Sequence, residues 1–346
     1  MRWLIFIVLL LVLLVLVFAA ISSNNKFSLS SENLLSQITE AVTPLPPLPK
    51  YETIHAIYLT AGTAESDRME KIIKLVKRSM SESAPELVLN AAIIDVQDAQ
   101  GNFLLDSEIK TVVRRLRFLK IFPIARIVVF QNNQYAQAHP DQTFKFASSE
   151  EANLYRDEGG RHWLDPADQR NWEYIWSLTK QAAAAGFGEI NFDYIRYPEK
   201  GQREIIQQFS IWIKDKLKAE YPEAQLTADL FGYTFLRERD IGVGQDAAEL
   251  AKIFDFIYPM IYPSHYDPGN FGFDNPADHP YEVMFKTLEQ RPDIKNVRPW
   301  IQDFNLGAIY TPEMVRAQMK AITDFGLNHG WLIWNPNNKY REEIFN

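Results

Sequence analysis

Carboxylate side chains recur at the ends of short apolar runs in this sequence. The stretch NFDYIRYP at 191–198 carries Asp193, and the stretch ADLFG at 228–232 carries Asp229. Two neighbouring carboxyl groups can cleave a glycosidic bond when one is ionised, as nucleophile or base, and the other is protonated, as acid. We therefore predict Asp193 and Asp229 as a catalytic pair, with Asp303 as a third acid at the end of a later run.

The residues around these acids could bind a sugar. Arg196 follows Asp193 closely and is expected to hold it ionised through a charge-assisted hydrogen bond; the alternative is a structural ion pair without chemistry. Alternation along the later run places Trp300 and Gln302 on one face, so Asp303 points inward only if that strand has already ended. The predicted substrate-binding residues are Asp95, Arg196, Tyr58, Tyr262, His265, Trp300, Gln302 and Trp334.

Some of these residues also have a purely structural interpretation. Asp95 either reaches over the site or belongs to a polar turn, and His265 is either a partner for sugar hydroxyls or a structural histidine. Flat aromatic rings stack on sugar faces, but aromatic residues also fill barrels. As a group at strand ends, the aromatic residues favour a carbohydrate cleft.

An alternation of strands and helices must position these residues. Strands are predicted at 55–60, 88–96, 125–131, 189–195, 225–231, 254–261, 297–303 and 330–335. Helices are predicted between them at 65–80, 108–120, 171–185, 202–220, 247–253, 281–290 and 311–325, with a short tail near 339–345. This pattern favours an α/β fold of the (β/α)₈ TIM-barrel type over residues 51–346, in which chemistry lies at the carboxyl ends of the strands. An open doubly wound sheet is the alternative, but no glycine-rich phosphate fingerprint follows the first strand. The long stretch 132–170 is then a loop at the catalytic mouth.

Composition excludes several other function classes. The chain has 346 residues, no cysteine and a net charge of −8 without a basic run, which argues against disulfide frameworks, thiolate chemistry and nucleic-acid binding. The six histidines are scattered without a paired metal-binding motif, and no P-loop or nucleophile elbow is present. We therefore expect neither a metal nor a cofactor.

The first fifty residues predict a location. Residues 4–21 are eighteen consecutive apolar residues, about 27 Å of helix, which is close to the hydrocarbon thickness of a bilayer. Residues 1–21 are predicted as a transmembrane signal anchor that holds the barrel outside the cytoplasmic membrane; a cleaved signal and a secreted protein are the alternative. Residues 22–50, rich in Ser, Asn, Gln and Pro, read as a flexible linker with a stiff Pro-rich end.

Seven stretches resemble a bacterial family of glycosyl hydrolase domains. They are IYLT at 57–60, NAAIIDV at 90–96, 186–198, 228–232, PMIYPSHY at 259–266, RPWIQDF at 298–304 and WLIWNP at 331–336. The resemblance implies a TIM barrel related to the alpha-amylase type, with acids at strands four, five and seven, here Asp193, Asp229 and Asp303. That type has Arg two residues before the strand-four Asp and Glu at strand five, where this chain has Asn191 and Asp229.

Three functions fit these observations. The leading hypothesis is a membrane-tethered glycoside hydrolase that cleaves a polysaccharide outside the cytoplasmic membrane. The second is a carbohydrate-binding barrel of the cell envelope without catalysis. The third is a structural or assembly protein of the envelope. Turnover of a glycan separates the first from the second, and glycan binding separates the second from the third.

Overall fold

The computed structural model describes residues 44–145, 155–236 and 241–346. Residues 46–346 form one compact unit. The predicted anchor at 4–21 lies outside the described residues. In the described part of the chain, no helix is long and apolar enough to cross a membrane.

Eight parallel strands close into a barrel in which each strand pairs with its neighbours along the chain and β8 pairs with β1. The strands are β1 (Ile54–Leu59), β2 (Ala91–Gln97), β3 (Phe122–Val128), β4 (Glu189–Asp193), β5 (Gln225–Phe231), β6 (Phe256–Met260), β7 (Trp300–Gln302) and β8 (Gly330–Trp334). The predicted TIM barrel is confirmed.

Helices connect the strands and cover the outside of the barrel. They are α1 (Ala61–Ala64), α2 (Arg68–Glu82), α3 (Ser107–Phe118), α4 (Asn133–Ala138), α5 (Gln169–Ala184), α6 (Arg203–Glu220), α7 (Ala247–Ile253), α8 (Pro280–Glu289) and α9 (Pro312–Asp324). Several begin just after a residue whose side chain accepts hydrogen bonds from the first backbone N–H groups of the helix. The Asp106 carboxylate accepts the backbone N–H groups of Glu108 and Ile109 at the start of α3, and Thr311 caps α9 just before Pro312.

Seven of the eight strands differ from their predicted bounds by one to three residues at one or both ends, and two of these differences bear on the site. β3 begins at Phe122 instead of residue 125. Pro123 is therefore the second residue of the strand, a position where its missing N–H is tolerated. Its carbonyl still accepts the N–H of Gly188. β7 has only three residues and ends at Gln302, so Asp303 lies just past the strand.

Alternation along each strand divides the core into two regions. Outward residues such as Ile57 and Leu59 pack against the helices, and inward residues such as Ala56 and Tyr58 fill the barrel. The interior also holds charge near its amino-terminal end, where Arg298 of the β6–β7 connection donates to Glu189 at 2.8 Å. The barrel is therefore filled by side chains, and only its carboxyl-terminal end is left for a ligand.

Candidate active site

Four charged side chains meet inside the carboxyl-terminal end of the barrel. Asp95, Arg126, Asp193 and Asp229 come from the consecutive strands β2, β3, β4 and β5, and all four are less than a tenth exposed. Each lies at an inward position of its strand, since Ile93 and Ile124, two residues before Asp95 and Arg126, pack inside the barrel. The fold thus brings Asp193 and Asp229 together and adds a cation between the acids.

The Arg126 guanidinium lies at the centre of this cluster. Its Nη1 donates to Asp95 Oδ1 at 2.6 Å, its Nη2 donates to Asp193 Oδ2, and its Nε lies 3.2 Å from the same Asp193 oxygen. The Nε atom is also 4.0 Å from Asp229 Oδ2. Tyr58 completes the cluster by donating its hydroxyl to Asp95 Oδ2 at 2.6 Å. One buried cation therefore contacts three carboxyl groups.

Asp229 is held by two neutral donors on one of its oxygens. Trp300 Nε1 donates to Asp229 Oδ1 at 2.7 Å, and Asn191 Nδ2 donates to the same atom at 3.0 Å. Its other oxygen, Oδ2, faces the Nε of Arg126, the atom that also binds Asp193 Oδ2. Asp193 Oδ2 and Asp229 Oδ2 lie 3.2 Å and 4.0 Å from the same nitrogen, so these two oxygens are at most about 7 Å apart. This is close enough for both groups to act on one glycosidic bond.

Burial and charge give the members of the cluster different protonation preferences. Burial, followed by the negative charge of Asp193, raises the pKa of Asp229 well above its usual range, against the opposing effects of Arg126 and Trp300. Burial also raises the pKa of Asp95. Although burial by itself would lower the pKa of Arg126, the Asp95 and Asp193 charges raise it, so the guanidinium stays charged. The site thus favours a protonated Asp229 beside a permanent cation.

The backbone after Asp193 adds a further donor. Tyr194 has a φ of +53°, a left-handed conformation that is uncommon for a residue with a side chain. The Tyr194 N–H donates to Asp193 Oδ1 at 2.6 Å. Both Asp193 oxygens therefore accept hydrogen bonds, which fix the orientation of the carboxyl group.

A cavity of about 260 Å³ opens above these acids. At roughly 30 Å³ per water molecule in the liquid, it has room for about nine waters or a ring-sized ligand. Its walls include both acids, both nearby arginines and an aromatic rim. The lining residues from the predicted set are Asp193, Asp229, Arg196, Tyr262, His265, Trp300 and Trp334.

Arg196 does not hold Asp193, contrary to the expectation from their spacing. The chain turns at Tyr194, and Arg196 forms no ion pair with Asp193; its guanidinium lies over the Trp163 ring at 4.5 Å. It donates from Nη1 to the Tyr197 carbonyl at 2.9 Å. Arg126, from the neighbouring strand, takes the predicted role. The alpha-amylase type has an arginine two residues before this Asp, where Asn191 stands here.

Asp303 does not join the pair. β7 has ended before it, and its Oδ1 accepts a hydrogen bond from Arg341 of the carboxyl-terminal tail at 2.8 Å, outside the cavity lining. Gln302 also turns away from the cavity and accepts hydrogen bonds from Ser264. Asp95 and Tyr58 lie behind the cavity wall, where Tyr58 stacks on Trp334 at 3.9 Å. These residues support the site and do not line it.

Arg126 and Asn191 were missed as functional residues by the sequence analysis. Arg126 is one charged residue inside the apolar run at 121–130, and a buried charge of this kind needs a partner. That signal was present within the predicted third strand. Asn191 is two residues before Asp193 and therefore shares its face, which could have indicated a contact with the acids.

The sequence of this chain matches one family model over residues 56–340, described as "Putative glycosyl hydrolase domain". The chain belongs to this family. No curated protein matches the chain.

Solved structures of similar fold include the following three enzymes. An α-galactosidase from Thermus thermophilus, bound to p-nitrophenyl α-D-galactopyranoside, is 14% identical with a TM-score of 0.55 over 87% of this chain. This chain spans 63% of the length of that α-galactosidase. An alpha-amylase from Lactobacillus plantarum is 15% identical with a TM-score of 0.53, covering 82% of this chain and 71% of its own. The Bacillus cereus spore cortex-lytic enzyme SleL is 13% identical with a TM-score of 0.52, covering 86% and 74%. At these identities the likeness establishes the shared barrel fold.

The environment of Asp303 predicts a specific pH dependence of stability. Burial raises the pKa of Asp303 to about 6 from its usual 3.8, although the Arg341 hydrogen bond opposes the shift. Because the folded state favours the protonated form, the Asp303 contribution is fully present below about pH 4 and is lost as the pH rises through 6. Between pH 4 and 7, the stability difference between the wild type and Asp303→Asn should therefore change by about 2 kcal/mol.

Urea denaturation of both proteins at several pH values measures this difference. Parallel stability profiles for the wild type and Asp303→Asn would show that Asp303 does not titrate as its burial requires.

Proposed function

We propose that this protein is a glycoside hydrolase that uses Asp193 as the ionised carboxylate and Asp229 as the proton donor. The observation that carries the proposal is the pair of acids on adjacent strands, both near one guanidinium nitrogen and both lining an aromatic-rimmed cavity. Membership in a family of glycosyl hydrolase domains supports the reaction class. A polysaccharide or oligosaccharide is the proposed substrate.

Asp193 suits the role of nucleophile or base. Arg126 and the Tyr194 N–H donate to it from two directions and hold the carboxylate in one orientation. Neither donor can accept a hydrogen bond in return, so both favour the ionised acid. A carboxylate fixed in this way can attack the anomeric carbon or activate a water molecule without reorganising its surroundings.

Asp229 suits the role of general acid. Its Oδ1 accepts hydrogen bonds from Trp300 and Asn191, which leaves Oδ2 to carry the proton on the side facing Asp193. Burial and the Asp193 charge both favour that proton. Because the donor must be protonated, activity should fall as the pH rises through the Asp229 pKa.

One observation favours a second candidate, a glycan-binding barrel without catalysis. Arg126 binds both Asp95 and Asp193 closely, as a cluster that only stabilises the barrel would. In that case Asp193 is committed to Arg126 and does not react. Substitution of the two acids separates these functions.

We predict that Asp193→Asn and Asp229→Asn each lower turnover by about 10³-fold or more while the protein still folds and binds glycan. Each change keeps the size of the side chain and removes its ability to ionise or to donate a proton. The measurement is the rate of hydrolysis over a panel of polysaccharides and aryl glycosides, with circular dichroism as the check of folding. Asp303→Asn is the matched control, since Asp303 is a buried strand-end acid outside the cavity.

The binding-barrel alternative makes a different prediction. There, Asp193→Asn lowers the melting temperature and leaves the turnover per folded molecule near the wild-type value. That pattern would contradict the assignment of the catalytic pair.

We also propose that residues 4–21 anchor the barrel at the outer face of the cytoplasmic membrane. The support is the uninterrupted apolar run and the Pro-rich linker that follows it. An alkaline phosphatase reporter fused after Asn346 should be active, because that enzyme matures only outside the cytoplasm. Full-length protein should stay in the membrane fraction after carbonate washing, and release with Met1 still attached would contradict the anchor.

A further inference from the structure

Arg196 is a second arginine at the cavity, and its surroundings differ from those of Arg126. The guanidinium lies 4.5 Å from the centre of the Trp163 ring and 4.8 Å from that of the Phe231 ring, with Tyr194 at 5.3 Å. Trp163 is fully buried and Phe231 lies at the end of β5. The aromatic rings stabilise the cation through their π-electrons and restrict where the side chain can move.

No carboxylate of the described residues forms an ion pair with Arg196. Its Nη1 donates to the backbone carbonyl of Tyr197, and no acidic oxygen of the described residues lies within 4.0 Å of its nitrogens. The two acids nearby are already bound to other groups. Asp157 accepts from Arg161 and the Trp163 indole, and Asp193 accepts from Arg126 and the Tyr194 N–H.

This arrangement leaves part of a rigid donor set facing the cavity. A guanidinium has five N–H donors in one plane, and only one donor of Arg196 has a protein partner among the described residues. Arg196 lines the same cavity as Asp193 and Asp229. A partly desolvated cation with unused donors favours an anionic ligand group, because a charge-assisted, two-pronged hydrogen bond recovers the lost hydration.

We propose that Arg196 binds an anionic substituent of the sugar in the cavity, so that the substrate is an acidic glycan. The anionic substituent is a carboxylate, as in a uronic acid, or a sulfate ester. Both groups carry a negative charge on more than one acceptor oxygen. This inference rests on the proposed function, since it assigns the substrate class of the same site. A neutral sugar offers the remaining donors of Arg196 only hydroxyl and ring oxygens, and hydrogen bonds to these uncharged acceptors are weaker than those to an anionic group.

Direct binding tests this proposal independently of turnover. The sample is the full-length chain, solubilised in detergent, and the method is isothermal titration calorimetry at constant ionic strength. The acidic ligands are D-glucuronate, D-galacturonate and D-glucose 6-sulfate, and their neutral counterparts are D-glucose and D-galactose. An acidic sugar should bind about 10- to 100-fold more tightly than its neutral counterpart, as expected for hydrogen bonds to a charged group. A preference for the uronates identifies a carboxylate, and a preference for the sulfated sugar identifies a sulfate ester.

Two substitutions assign the preference to Arg196. Arg196→Gln should abolish the advantage of the acidic sugar, and Arg196→Lys should keep only part of it, because lysine retains the charge but not the planar fork. Arg78→Gln is the matched control, since it removes one positive charge from an exposed position of α2. It should leave the preference unchanged.

The outcomes separate this inference from the proposed function. Equal binding of acidic and neutral sugars by the wild type would overturn the inference without any variant, even if neutral glycans are cleaved. Retention of the preference in Arg196→Gln would overturn it too. Binding that depends on Arg196, without hydrolysis of any acidic or neutral glycoside, would support the inference and contradict the hydrolase.

Discussion

The carboxyl-terminal end of this barrel depends on one guanidinium inside a ring of acids. Arg126 projects inward from β3 and binds acids from the strands on both sides, Asp95 on β2 and Asp193 on β4. Three buried carboxyl groups would otherwise repel one another in a medium of low polarity. Because the cation comes from a rigid strand, it also fixes the positions of the acids relative to the cavity.

The same cation gives two chemically identical side chains different surroundings. Asp193 takes the short contact with Arg126, whereas Asp229 stays 4.0 Å from the nearest guanidinium nitrogen and relies on neutral donors. Burial then favours the proton on Asp229. A pair of acids kept in different protonation states is what cleavage of a glycosidic bond requires. The roles that we propose for the two acids rest on this difference in their distances to one cation.

Strand–helix periodicity was sufficient to predict the fold and the positions of the two principal acids. The closing order of the strands follows from parallel βα units, and Asp193 and Asp229 converge because both lie near the carboxyl ends of adjacent strands. The partners of the acids could not be predicted in the same way. The contact between Arg126 and Asp193 joins residues 67 positions apart and depends on the register between β3 and β4. Spacing along the chain suggested Arg196 instead, and the turn at Tyr194 moves that side chain elsewhere.

The assignment of Asp303 shows where a family pattern and local geometry diverge. The alternation rule already placed Asp303 on the face opposite to Trp300, unless the strand had ended. The strand does end at Gln302, but Arg341 binds the acid, and Asp303 does not line the cavity. The contact depends on the path of the last residues of the chain, which periodicity does not encode.

The unfolding free energy of Arg126→Met at two pH values tests the central claim most directly. Loss of the cation should cost about 3–5 kcal/mol relative to the wild type at pH 7, because it leaves buried acids unpaired. Unpaired buried acids bind protons more tightly in the folded state, so the cost should be clearly smaller at pH 4. Arg78→Met on the surface controls for loss of one charge. An equal cost at both pH values would show that Arg126 acts through packing alone and would contradict this account.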